Sequence, residues 1–154
     1  MNEIVDARRE VVRGDWSGGF AGTGRIEAGA LSCAISAPAA VGGSGAGENP
    51  SALLVSAASG CFLLTLAGLL EQHGVHPVGI SIETEGVYGG TAPPELRAVV
   101  HRPRVRVDAA GVAQLALVRQ CFELAKEACM ATRAMPQVAF SVEGATSVEF
   151  AAHR

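Results

Sequence analysis

Cys61 lies inside a long run without charge, Pro50 to Leu70, and Cys129 closes a second helical pattern far downstream. A cysteine that only fills core space needs no second cysteine, whereas one that cycles through sulfenic acid needs a resolving thiol that the fold brings near it. The pair therefore raises thiol redox chemistry. Residue type alone leaves a second reading open, because cysteine is among the residues most often fully buried and two buried thiols can be inert packing. Of the other two cysteines, Cys33 sits on an alternating strand pattern. Cys121 lies about 80° round its helix from Cys129. Both read as packing residues. His73, His76, His101 and His153 show no metal-ligand spacing and there is no C-x-x-C, so no metal is expected. The glycine-rich stretch Gly42 to Gly47 matches neither G-x-G-x-x-G nor the P-loop and reads as a plain flexible loop, so no cofactor is expected either.

Two helices must position the pair. Asn49 followed by Pro50 is a strong helix start, since asparagine caps orphan amides and proline is preorganised for the first helical position. The run then continues to His73, where Gly74 offers a left-handed stop and Pro77 prevents resumption. Downstream, Leu115, Val118, Phe122, Ala125 and Cys129 recur at helical spacing, with Arg119, Gln120, Glu123, Lys126 and Glu127 on the other side. Strands surround these helices. The stretch through Ile35 is cut by glycines into short antiparallel strands, the last carrying Leu31, Cys33 and Ile35 on one face. Val78 to Tyr88 and Leu96 to Val107 alternate and are expected to pair, and a last strand runs from Gln137 to Val148. The class is α+β, with residues 1–154 forming a single domain without internal repeats.

Composition narrows the function classes. The chain has 154 residues, 49% hydrophobic and 18% charged, enough for one ordinary core. A net charge of -3 with scattered arginines gives no electrostatic footprint for nucleic acid. The first ten residues mix acidic with basic side chains and lack the apolar region of a secretory signal. Four cysteines in such a chain read as free thiols in a reducing compartment, so the expected location is cytoplasmic. Ala52 to Leu70 approaches the roughly 20 apolar residues of a membrane span. It lacks a basic flank and an aromatic belt, carries Ser56, Ser59 and Thr65, and stands between strands that need a sheet to pair in, so no membrane is expected. A helix apolar on every side must be covered on every side, which a chain this small achieves by pairing with a second copy.

The segment Gly47-Glu48-Asn49-Pro50 followed by Cys61-Phe62, the earlier Gly24-Arg25-Ile26-Glu27 strand entry, and Ala125-Lys126-Glu127-Ala128-Cys129 resemble the OsmC/Ohr family of organic hydroperoxide reductases over nearly the whole chain. The resemblance implies a two-layer α+β homodimer in which antiparallel sheets wrap long central helices, intertwined so that the active sites lie at the subunit interface. It also implies that Cys61 is the peroxidatic cysteine and Cys129 the resolving one. The substrate would be a small hydrophobic hydroperoxide and the reductant an external dithiol or lipoyl-type carrier.

The chain departs from the family pattern at defined places. Ser51 stands where family reductases carry a glutamate, leaving Glu48 as the nearest carboxylate; the family arginine position falls near Ala21 or Gly22, leaving Arg25 as the first candidate to hold the thiolate and Arg133 as the second. Met130 replaces the proline after the second cysteine and Thr132 the serine beyond it, so the helix is expected to run on toward Met135. Because a free thiol is only slightly ionised at neutral pH, Cys61 is expected to need a cation. Two function classes follow: a two-cysteine hydroperoxide reductase, or a catalytically weakened relative that binds a small hydrophobic ligand or senses oxidants.

Overall fold

The computed structural model describes residues 8–150, which divide after Leu53 into two compact units. In the first, β1 (Arg13–Ser17), β2 (Thr23–Ala28) and β3 (Leu31–Ile35) form an antiparallel sheet in that order, as the glycine-cut pattern predicts. The glycine-rich segment after it is held at both ends. Gly43 and Gly45 donate backbone hydrogen bonds to Pro38 and Ala37, and Ser36 and Glu48 close the base through Ser36 N–H to Glu48 O and Glu48 N–H to Ala34 O. The buried Ser36 hydroxyl adds a donated bond to Gly47 O and an accepted one from Gly47 N–H. The expected plain flexible loop is thus a turn structure with satisfied backbone groups.

The long helix α1 spans Pro50–Gln72. Asn49 caps it as its side-chain chemistry requires, its Oδ1 accepting from Ser51 N–H at 3.3 Å. It stops at Gly74, whose φ of 70° is left-handed, with Gly74 N–H bonded to Glu71 O and Val75 N–H to Leu70 O. Although α1 is apolar on all sides and long enough to cross a membrane, only the four-residue stripe Ala58, Phe62, Leu66 and Leu70 is buried within this chain. That stripe makes it a core helix. Leu64 on another side is 77% exposed.

Two long strands, β4 (Gly79–Gly89) and β5 (Glu95–Asp108), pair antiparallel as predicted. Their period-2 patterns match across the register: Ile80, Ile82 and Thr84 stand opposite Val105, Pro103 and His101. Val99, His101, Pro103, Val105 and Val107 are buried on that face. The other face carries Arg102, which pairs with Glu83, Glu85 and Glu143. A 3₁₀ turn over Ala109–Gln114, capped by Asp108 Oδ1 accepting from Gly111 N–H, leads into α2 (Leu115–Ala128). The predicted stripe is buried there: Val118, Cys121, Phe122 and Ala125 join Phe62, Leu66, Leu70, Val75, Val105, Val107 and Cys129 in one core.

The last strand predicted from Gln137 to Val148 is instead two, β6 (Ala139–Val142) and β7 (Ala145–Glu149), both parallel to β5. Gly144 lies in the gap between them. A Cβ there would fall 2.1 Å from the Phe122 ring, so the chain can pass α2 only where it has no side chain.

One core residue is polar. His101 is fully buried, stacked on Phe62 with ring centroids 4.5 Å apart, near Phe140, with Nδ1 3.0 Å from Thr84 Oγ1. Burial lowers its pKa from 6.5 to about 4. The unfolded chain therefore takes up a proton at pH values where the folded one does not. Folding stability tied to this ring is intact above pH 6.5 and is lost as the pH falls toward about 4. Urea denaturation of the native chain and of His101→Leu across this range should show the native chain losing up to about 3 kcal/mol more than the variant on acidification.

Candidate active site

Cys61 sits in the middle of α1, and Thr65 one turn later donates its hydroxyl to the Cys61 carbonyl at 2.8 Å. The fold brings Cys129 to it. Cys129 follows the last residue of α2 with φ of -62° and ψ of 125°, an extended conformation that ends the helix, and α3 (Met130–Ala134) starts directly afterwards. The continuous helix expected past Met130 is therefore interrupted, without the proline that would force it. A new helix start frees amide donors. The Met130 and Ala131 N–H groups are used on the Cys61 sulfur, and the Ala131 and Thr132 N–H groups on the Cys129 sulfur.

The electrostatic result is asymmetric. Burial opposes the Cys61 thiolate, but the Ala131 amide, the Cys129 thiol, the Met130 amide and the Thr65 hydroxyl together outweigh it and hold the pKa below that of an ordinary thiol. Cys129 is pushed the other way. Its burial dominates over the Thr132 and Ala131 amides, and its hydrogen bond and charge interaction with Cys61 raise its pKa further. Cys121, buried in the core, is also raised by desolvation. At neutral pH the arrangement is a partly exposed thiolate-prone sulfur accepting from a protonated, buried thiol.

Each remaining predicted residue has contacts of its own. Arg25 is on β2 in the N-terminal unit, where its guanidinium donates to Ser32 Oγ at 2.9 Å. Glu48 lies in the same unit with Oε1 accepting from Asn49 N–H. Arg133 is exposed on α3, its backbone N–H bonded to Cys129 O at 3.1 Å. Among the described residues the groups that lower the Cys61 pKa are uncharged: two peptide amides, a thiol and a hydroxyl. Sequence reasoning passed over those amides, which carry no residue signature. It also passed over Thr65, whose i+4 spacing from Cys61 was available, and His101, which the alternation through Val99, Val105 and Val107 places on the buried face. No group of three metal-ligating side chains occurs among the described residues.

Reactivity should follow this asymmetry. Limited alkylation of the reduced chain with iodoacetamide near pH 7, read by peptide mass spectrometry, is expected to modify Cys61 well before Cys121 or Cys129. Equal labelling of Cys61 and Cys121 would contradict the thiolate stabilisation described here.

Similarity to known proteins agrees with this architecture. The sequence profile of OsmC-like proteins matches residues 43–143. The uncharacterised YmaD of Bacillus subtilis (strain 168) is 32% identical over 126 residues, covering 80% of this chain and 84% of its own. An OsmC-like protein of unknown function from Vibrio cholerae superposes with a TM-score of 0.77 at 16% identity, over 90% of this chain and 99% of that one. The organic hydroperoxide resistance protein OhrB of Bacillus subtilis superposes with a TM-score of 0.65 at 20% identity, over 87% of this chain and 97% of that one. The structural likenesses share the α+β fold of antiparallel sheets and two long helices, and the profile match spans most of the chain. The chain belongs to the OsmC-like protein family.

Proposed function

We propose that the chain is a thiol-dependent peroxidase that reduces organic hydroperoxides to alcohols through Cys61 and Cys129. The observation that carries this reading is the Cys61 sulfur itself, held toward the thiolate by the Met130 and Ala131 amides and in hydrogen-bonding contact with a second thiol. In the first step the Cys61 thiolate attacks the terminal oxygen of R–O–O–H, and the O–O bond breaks. Sulfur keeps the hydroxyl as sulfenic acid, and the alkoxide leaves and takes a proton as alcohol. Cys129 then gives up its proton and attacks the Cys61 sulfur, releasing water and forming the disulfide. An external dithiol, of ordinary or lipoyl type, returns both thiols by exchange and is itself oxidised.

The hydrogen bond between the two sulfurs means that the second step needs little movement. The proton on Cys129 keeps the resolving thiol quiet until Cys61 is oxidised. Arg25 and Arg133 are the candidate cations for the peroxide oxygens, and Glu48 the candidate carboxylate to orient such an arginine. The apolar surface that α1 leaves uncovered, Leu64 above all, supports a homodimer around this helix. A reducing, cytoplasmic setting suits two free thiols that must be regenerated by a dithiol.

Cumene hydroperoxide consumption with dihydrolipoate as reductant tests the reading. The native chain is expected to turn over. Cys61→Ser should lose at least about a hundredfold of the rate. Cys129→Ser should retain the first oxidation, with a sulfenic acid at Cys61 that dimedone traps, and form no intramolecular disulfide. Arg25→Ala and Arg133→Ala separate the two candidate cations by which one lowers kcat/KM. If Cys61→Ser consumes peroxide as fast as the native chain, the protein is instead a ligand-binding or oxidant-sensing relative. Sedimentation at micromolar concentration should give a dimer, and a stable monomer would remove the interface from the proposal.

A further inference from the structure

Beyond the cysteine pair, α1 makes a second polar contact, on its other side. Ser59 Oγ accepts from Thr84 Oγ1 at 2.9 Å, and Thr84 Oγ1 lies 3.0 Å from His101 Nδ1. Thr84 has one proton to give. Its hydroxyl thus bridges Ser59 and the His101 ring, whose buried Nε2 has no hydrogen-bond partner. The chain of three is closed by the His101 ring lying on Phe62 at 4.5 Å and an interplanar angle of 25°. Thr84 and His101 are themselves cross-strand neighbours on β4 and β5. Two α1 residues on either side of Cys61, Ser59 and Phe62, are thus fastened to one point of the sheet.

We propose that Thr84 and His101 are positioning residues for Cys61, a clamp that fixes the rotation of α1 about its axis so that the sulfur meets the Met130 and Ala131 amides. Phe62 alone would hold the helix to the core by a contact that tolerates sliding and turning, because dispersion is not directional. A hydrogen bond of 2.9 Å on the adjacent turn is directional and sets the angle. The lever is short but sufficient. A sulfur roughly 5–6 Å from the helix axis moves about 2 Å when the helix turns by about 20°. Active-site constellations need their groups held within about 0.5 Å. An open depression of about 210 Å³ lies beside Val55, Ser56, Ser59, Gly60 and Thr84, next to the clamp. No other charged or titratable side chain is needed for the device, since it consists of two hydroxyls and a neutral ring.

The inference rests on Cys61 being a reactive thiol but does not require that its oxidant be a hydroperoxide. The test is the thiol pKa of Cys61 in the full reduced chain, taken from the pH dependence of iodoacetamide alkylation at that residue, alongside the melting temperature. Thr84→Val keeps the shape and removes the hydroxyl; it is expected to raise the thiol pKa by about one unit and slow alkylation near pH 7 several-fold. Thr84→Ser should restore both. A melting temperature that falls while the Cys61 pKa stays at its native value would overturn the proposal and leave Thr84 as a plain stability residue. Where Thr84→Val does not fold, Ser59→Ala decides by the same two readings, since it breaks the link from the half-exposed helix side and leaves the stack on Phe62 in place. Should the native chain fail to consume hydroperoxide while Thr84→Val still raises the Cys61 pKa, the peroxidase reading falls and the clamp stands.

Discussion

The structure turns on two amide donors and the sulfur that takes them. When α2 ends at Cys129 with an extended ψ, the N–H groups of Met130 and Ala131 lose their intrahelical acceptors and act on sulfur instead. Cys61 supplies it. The same conformational step that sacrifices helix continuity thus satisfies the backbone, lowers the pKa of one thiol and delivers the other thiol to it. The core around it, from Phe62 and Leu66 on α1 to Phe122 and Ala125 on α2, is what keeps two helices close enough for this exchange.

This arrangement gives a physical account of the departures from the OsmC/Ohr pattern. A guanidinium stabilises a thiolate strongly but is expensive to desolvate. Peptide amides are weaker donors, yet they are fixed by the backbone and cost no ion desolvation. A chain that relies on amides can lose the proline after its second cysteine, because the N–H of Met130 is now an asset.

The sheet matters through its alternation. On β5 the arginines 102, 104 and 106 face away from the helices, while Val99, His101, Pro103, Val105 and Val107 face them. A histidine in that series has to be neutral, hydrogen-bonded and stacked, and His101 is all three. Gly144 is where the chain passes the Phe122 ring too closely for a Cβ.

Much of the architecture was legible in the residues. The Asn49-Pro50 start, the Gly74 stop, the pairing of β4 with β5 and the apolar stripe of α2 follow from capping chemistry, left-handed glycine and hydrophobic period, all of which are local. The family resemblance was legible as well. What the sequence could not contain is any quantity that depends on residues distant along the chain. The meeting of Cys129 with Cys61, the close pass of Gly144 by the Phe122 ring and the reach of Thr84 to both Ser59 and His101 are all of this kind. Tertiary structure alone decided which neutral amides lower the Cys61 pKa: a backbone N–H is present at nearly every residue, and only the fold determines which of them lacks a carbonyl and faces a sulfur.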